Sequence, residues 1–126
     1  MRKSFIVAAL ALATIPMNGA MAAMDVATFL AKANRLKAKG PFALISGDFK
    51  TLTREVTDAS KSLKEERLAL QSAGKPTAWC PPQKASMDSN EIMAAMEAIP
   101  LAQRRSTDVR TALRGLMIRK FPCPAR

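Results

Sequence analysis

Histidine and tyrosine are absent from this 126-residue chain, cysteine occurs twice and tryptophan once. Without histidine the mixed Cys/His zinc patterns are excluded, and two cysteines cannot supply the four ligands of a closed structural zinc site. The commonest general base in enzymes is missing as well. No stretch sustains a two-residue apolar/polar alternation, and branched and aromatic residues are sparse, so strands are not expected. Beyond the first twenty or so positions no segment is apolar enough to cross a bilayer. The Gly74-Lys75 pair lacks an upstream glycine at the right spacing and is followed by Pro76, which excludes a phosphate loop. The chain shows no internal repeat and no low-complexity tract.

What is present begins with an export signal. Arg2 and Lys3 precede an apolar run from Phe5 to Met17, and Ala20-Met21-Ala22 supplies the small-x-small pattern of a cleavage site. The run is shorter than a membrane span and is broken by Pro16, Asn18 and Gly19. A signal peptide over residues 1–22 is therefore expected, leaving 23–126 as one small domain of 104 residues in the periplasm or outside the cell. Removal of Arg2 and Lys3 lowers the formal net charge from +10 to +8. For an exported chain that excess points to acidic proteins or to anionic lipid and wall polymers, and away from nucleic acid.

The two cysteines lie in similar surroundings, "WCPP" at Trp79–Pro82 and "KFPCP" at Lys120–Pro124. More than forty residues separate them, too far for a thioredoxin-like pair. In an exported protein an even cysteine count is most economically a disulfide, so Cys80 and Cys123 are expected to pair as a staple.

Helical spacing organises the rest. Asp25 opens a helix to Lys39, with Val26, Phe29, Leu30, Ala33 and Leu36 on one face, and Gly40-Pro41 ends it. A short apolar link, Phe42–Ile45, leads to a long helix to about Ser72, capped by Ser46 or Asp48. Its seam is Phe49, Leu52, Val56, Ala59, Leu63 and Leu70, interrupted by Glu66. Lys61, Lys64, Glu65, Glu66 and Arg67 are assigned to a solvated face. The seam also admits self-association. Asp88 and Glu91 form a capping box, and Met87 staples onto Ile92, at the start of a third helix closed by Pro100. Ser106 or Thr107 is expected to cap a fourth helix over Asp108–Lys120, burying Val109, Ala112, Leu113, Leu116 and Met117. The expected fold is all-α: a small four-helix domain whose last two helices form a disulfide-stapled hairpin.

Catalytic constellations are hard to assemble from these residues, and neither an enzyme nor a cofactor is expected. Met87, Met93 and Met96 raise soft-metal ligation, but core filling explains helical methionines at this spacing. Charge is uneven near the C-terminus, where Arg104, Arg105, Arg110, Arg114, Arg119 and Lys120 face a single acid, Asp108. These six residues are the expected basic face for an acidic protein partner or an anionic envelope component.

The segment Trp79–Cys123 resembles the Rap/Tai family of small exported immunity proteins, which protect bacteria against amidase effectors delivered by type VI secretion. The similarity rests on the aromatic-Cys-x-Pro start (Trp79, Cys80, Pro82), the helix ending in Ile99-Pro100, the Ala112-Leu113 helix and the closing Phe121-Pro122-Cys123. It implies a helical periplasmic domain with paired cysteines, acting by binding a protein partner such as a cell-wall amidase effector.

Overall fold

The computed structural model describes residues 23–125; the expected leader, 1–22, and Arg126 lie outside the described residues. Four α-helices follow in order, α1 (Val26–Lys39), α2 (Gly47–Ser72), α3 (Ser89–Glu97) and α4 (Val109–Lys120), with no strand among the described residues. Local chemistry sets their ends. The Asp25 carboxylate accepts from the Thr28 amide at 2.8 Å, which holds the carboxyl below its usual range. Gly40 closes α1 with φ of 55°, a left-handed value that suits a residue without Cβ. Ser46 takes the α2 cap, accepting from the Phe49 amide at 3.3 Å. That leaves Asp48 to reach α1, where it accepts from Lys32 Nζ at 3.1 Å and Arg35 Nε at 3.2 Å. The α3 capping box forms in both directions, each bond 2.9 Å, between Asp88 and Glu91.

The start of α4 differs from expectation. Its cap is Asp108, accepting from the Thr111 amide at 2.7 Å, and neither Ser106 nor Thr107 serves. The Thr107 backbone is used elsewhere: its carbonyl accepts from the Val26 amide at 2.9 Å. The Val109 amide donates in return to the Met24 carbonyl, also at 2.9 Å, so the first residues of α1 and α4 satisfy each other's orphan amides. Asp25 and Asp108, the two caps, form an isolated antiparallel bridge between these segments. The pairing brings together a short repeat, contrary to the expectation of none. Asp25-Val26-Ala27-Thr28-Phe29-Leu30 and Asp108-Val109-Arg110-Thr111-Ala112-Leu113 share D-V-x-T-x-L, and both valines are fully buried.

α2 packs against α1 and α4, and α3 packs against α4 and α1. The core gathers Phe29 and Leu30 of α1, Leu52 and Leu63 of α2, Met96 of α3, Leu113 of α4 and the loop residue Trp79. Met96 is fully enclosed and Met93 packs beside it, so the methionines fill the core as their spacing suggests. The middle of the α2 seam is consumed in the same way, because Leu52, Ala59 and Leu63 are buried within this chain, whereas Phe49 at its start stays 37% exposed. The Phe42–Ile45 link, by contrast, is part of a 3-10 turn, Gly40–Ile45, with no buried residue. Among the described residues no helix is long and apolar enough to cross a membrane.

Candidate functional site

α4 carries most of the basic residues singled out in the sequence, and its surroundings decide what they do. Arg110 Nη2 and Arg114 Nη2 both donate to Glu66 Oε2, the second at 2.6 Å, and Arg110 Nε donates to the Ser62 hydroxyl at 2.9 Å. The charged residue that interrupts the α2 seam is therefore the counterion of α4 and does not belong to a solvated face. The Arg114 hydrogen bond, helped by the charge of both guanidiniums, holds the Glu66 carboxyl below its ordinary value of 4.5 against the opposing effect of burial. Lys120 Nζ donates to the Ser86 carbonyl at 2.8 Å and to Glu91 Oε2 at 2.7 Å. Arg104 is spent on backbone, donating through Nε to Ile99 O at 2.8 Å and through Nη2 to Glu97 O at 2.9 Å. Arg105 and Arg119 remain exposed without an ion pair among the described residues. The six cations thus do not form one open face: four of them tie α4 and its approach to the rest of the domain.

Glu66→Gln keeps the shape but removes the charge that two arginines share. The variant is expected to be less stable by roughly 1–2 kcal/mol near neutral pH, since the three side chains are each about one-third exposed and partly screened. A carboxyl lowered in the folded state contributes stability above its unfolded value and loses it as pH falls through the folded value. Urea melts of the two proteins should therefore converge only as the pH falls through the lowered folded-state value of Glu66. Identical melts at neutral pH would show that the clamp contributes nothing.

The other end of α4 is closed by the staple. Cys80 and Cys123 are bonded with Cα atoms 4.8 Å apart, joining the loop before α3 to the segment after α4. The Cys80 amide donates to the Phe121 carbonyl at 2.8 Å, and Lys120 reaches the α3 capping box, so three links converge on this end. The Lys120 ammonium bonds the Glu91 carboxylate and, with the Asp88 amide, keeps its pKa below the usual range. Trp79, next to the staple, is buried in the core.

Beside the staple a cleft of about 500 Å³ opens between α2 and the loop. Its α2 wall presents Thr57, Ser60, Lys64 and Arg67. Ile92, Met117 and Phe121 line it too, together with Trp79, Pro81 and Pro82 of the loop. The loop that carries the disulfide thus shares with α2 a cleft lined by both apolar and cationic side chains. The charge pattern alone places Lys64 and Arg67 on a solvated face and gives no sign of the cleft. The available signal was the polar stripe Thr57, Ser60, Lys64, Arg67, whose steps of three and four put it on one side of the helix. Among the described residues no group of three Cys, Asp or Glu side chains is placed to hold a metal ion.

Fold and staple together define a small all-α domain built on one hydrophobic core and closed by a single disulfide. No protein-family model, curated protein or solved structure matches the chain.

Proposed function

We propose that the chain is an exported, non-enzymatic helical binding protein of the immunity-protein kind, which acts in the periplasm by holding a segment of a protein partner. The observation that carries this reading is the stapled cleft. Its apolar lining suits a side chain of an extended segment, and Lys64 and Arg67 on the rim suit a carboxylate from the same segment. Trp79, Pro82 and Phe121, residues on which the Rap/Tai resemblance rests, also line this cleft. That coincidence supports a cell-wall amidase effector as the partner class. The disulfide supports an oxidising compartment, in keeping with the expected leader. Binding of this kind needs no cofactor and no nucleic acid.

The test is size-exclusion chromatography of the oxidised protein with cell-wall amidase effectors, beside a Lys64→Glu/Arg67→Glu variant. Co-elution at micromolar concentration that the variant loses is expected. Absence of any complex across the effectors, or a complex indifferent to the variant, would sink the reading.

A further inference from the structure

The largest exposed apolar side chains near one another lie far from the cleft, in the 3-10 turn joining α1 to α2. Phe42, Leu44 and Ile45 are 69%, 67% and 79% exposed. This turn packs only against the two helices it connects, so it stands at one end of the domain away from α3 and α4. It is nonetheless held in shape. Gly40 reverses the chain with its positive φ, Pro41 fixes the next φ, and the Ser46 amide closes the turn onto the Ala43 carbonyl at 3.1 Å. Three large apolar groups are thus presented to water by a structured backbone, an arrangement that isolated exposed leucines do not show.

Charge around the turn has one sign. Lys37 and Lys39 occupy the last turn of α1 and Lys50 the first turn of α2; all three are exposed and without an ion pair among the described residues. The single acid between Val26 and Arg54 is Asp48, and Lys32 and Arg35 already neutralise it. The exposed apolar turn is thus flanked on both sides in sequence by exposed lysines.

We propose that this tip docks on an anionic lipid surface, with Phe42, Leu44 and Ile45 entering the boundary between headgroups and acyl chains and Lys37, Lys39 and Lys50 meeting lipid phosphates. Two observations favour lipid over a protein groove. Specific protein interfaces are depleted in lysine and enriched in arginine, whereas the exposed cations without an ion pair that flank this turn, Lys37, Lys39 and Lys50, are lysines. Long lysine stems let the ammonium reach laterally mobile phosphates while the apolar groups insert by ~5–10 Å. The apolar turn is also small: three side chains present a few hundred Å², well under the roughly 800 Å² per partner of a stable protein interface. The tip and the cleft occupy different stretches of α2, with Phe49 and Lys64 roughly 20 Å apart along the helix. Docking at one end therefore leaves the cleft open, and this inference stands apart from the binding function proposed above.

Flotation with vesicles rich in phosphatidylglycerol, compared with phosphatidylcholine vesicles, tests the assignment using the oxidised chain from Ala23 onward, which contains every described helix and the whole core. Binding to the anionic vesicles alone, falling steeply as salt rises, is expected. Each of Lys37→Gln, Lys39→Gln and Lys50→Gln should weaken it by about fivefold. The triple variant Phe42→Ser/Leu44→Ser/Ile45→Ser should abolish it with an unchanged circular dichroism spectrum, while Arg105→Gln/Arg119→Gln should retain it. In a Phe42→Trp variant the new indole should become shielded from an aqueous quencher when vesicles are added; Trp79 is already buried. No flotation, or flotation that the triple serine variant keeps, overturns the proposal. Self-association lost in the triple variant without vesicle binding would overturn it too, in favour of a second copy of the chain.

Discussion

Reduction of the Cys80–Cys123 bridge is expected to cost about 4 kcal/mol, the loop-closure entropy that a 43-residue separation returns to the unfolded chain. For a domain of this size that lowers the thermal midpoint by roughly 15–30 °C. It is a large share of the ~5–15 kcal/mol that holds a small domain folded. The staple does more than restrict the unfolded chain, because it also ties together two segments that line the cleft. Trp79 and Pro81 flank Cys80, and the disulfide and the Cys80 amide bond to the Phe121 carbonyl tie their segment to that of Phe121 at the cleft. Thermal melts with and without reductant, repeated on Cys80→Ala/Cys123→Ala, provide the measurement. Protein recovered from its own compartment should show no titratable thiol. Two reactive cysteines in that sample would contradict an oxidising compartment, and a reduced protein melting with the oxidised one would contradict the stabilising role of the staple.

Leu63→Ala should be nearly as severe, at about 2–5 kcal/mol. Leu63 is fully buried on α2, in the same core as Phe29 of α1, Met96 of α3, Leu113 of α4 and Trp79. Truncation there removes the transfer free energy of the lost carbons and leaves a cavity that surrounding helices, tied by the Glu66 clamp and the staple, cannot readily close. Leu68 on the same helix is 44% exposed, and Leu68→Ala should change stability by less than about 0.5 kcal/mol. Denaturant melts of the pair separate burial from mere helix composition. Equal losses in the two variants would mean that the α2 seam is not where the core lies. The same geometry predicts that Leu63→Glu unfolds the chain and does not simply disperse an oligomer.

Much of the fold was legible because its signals are local. Asp25 and the Asp88–Glu91 box name their helix starts through bonds spanning three residues, and Gly40 and Pro100 name two helix ends. Apolar residues three and four apart reveal which face a helix buries without saying against what. The Asp108 cap was missed because Ser106 and Thr107 are equally good capping residues; the choice was made by Val26, whose amide takes the Thr107 carbonyl from 81 positions away in sequence. D-V-x-T-x-L was visible as text, but its meaning as a mutual clasp exists only once both helix starts are side by side. Charge was the least legible property. Composition counts arginines, and cannot tell Arg119, which is exposed, from Arg110 and Arg114, which are committed to Glu66. The candidate sites followed the same pattern: Lys64, Arg67 and the Phe42–Ile45 turn look unremarkable until their neighbours, or the lack of them, are known.

By itself, then, the sequence determined the helix count, the helix faces and the pairing of "WCPP" with "KFPCP", because helical periodicity, capping and cysteine number are properties of short segments or simple counts. Only the tertiary structure decided which cations are spent, what Glu66 is for, where a cleft opens and which apolar turn is left facing water. The Lys120 and Glu66 links, for example, join residues 29 to 48 positions apart across packed helices, and no local signal encodes that meeting.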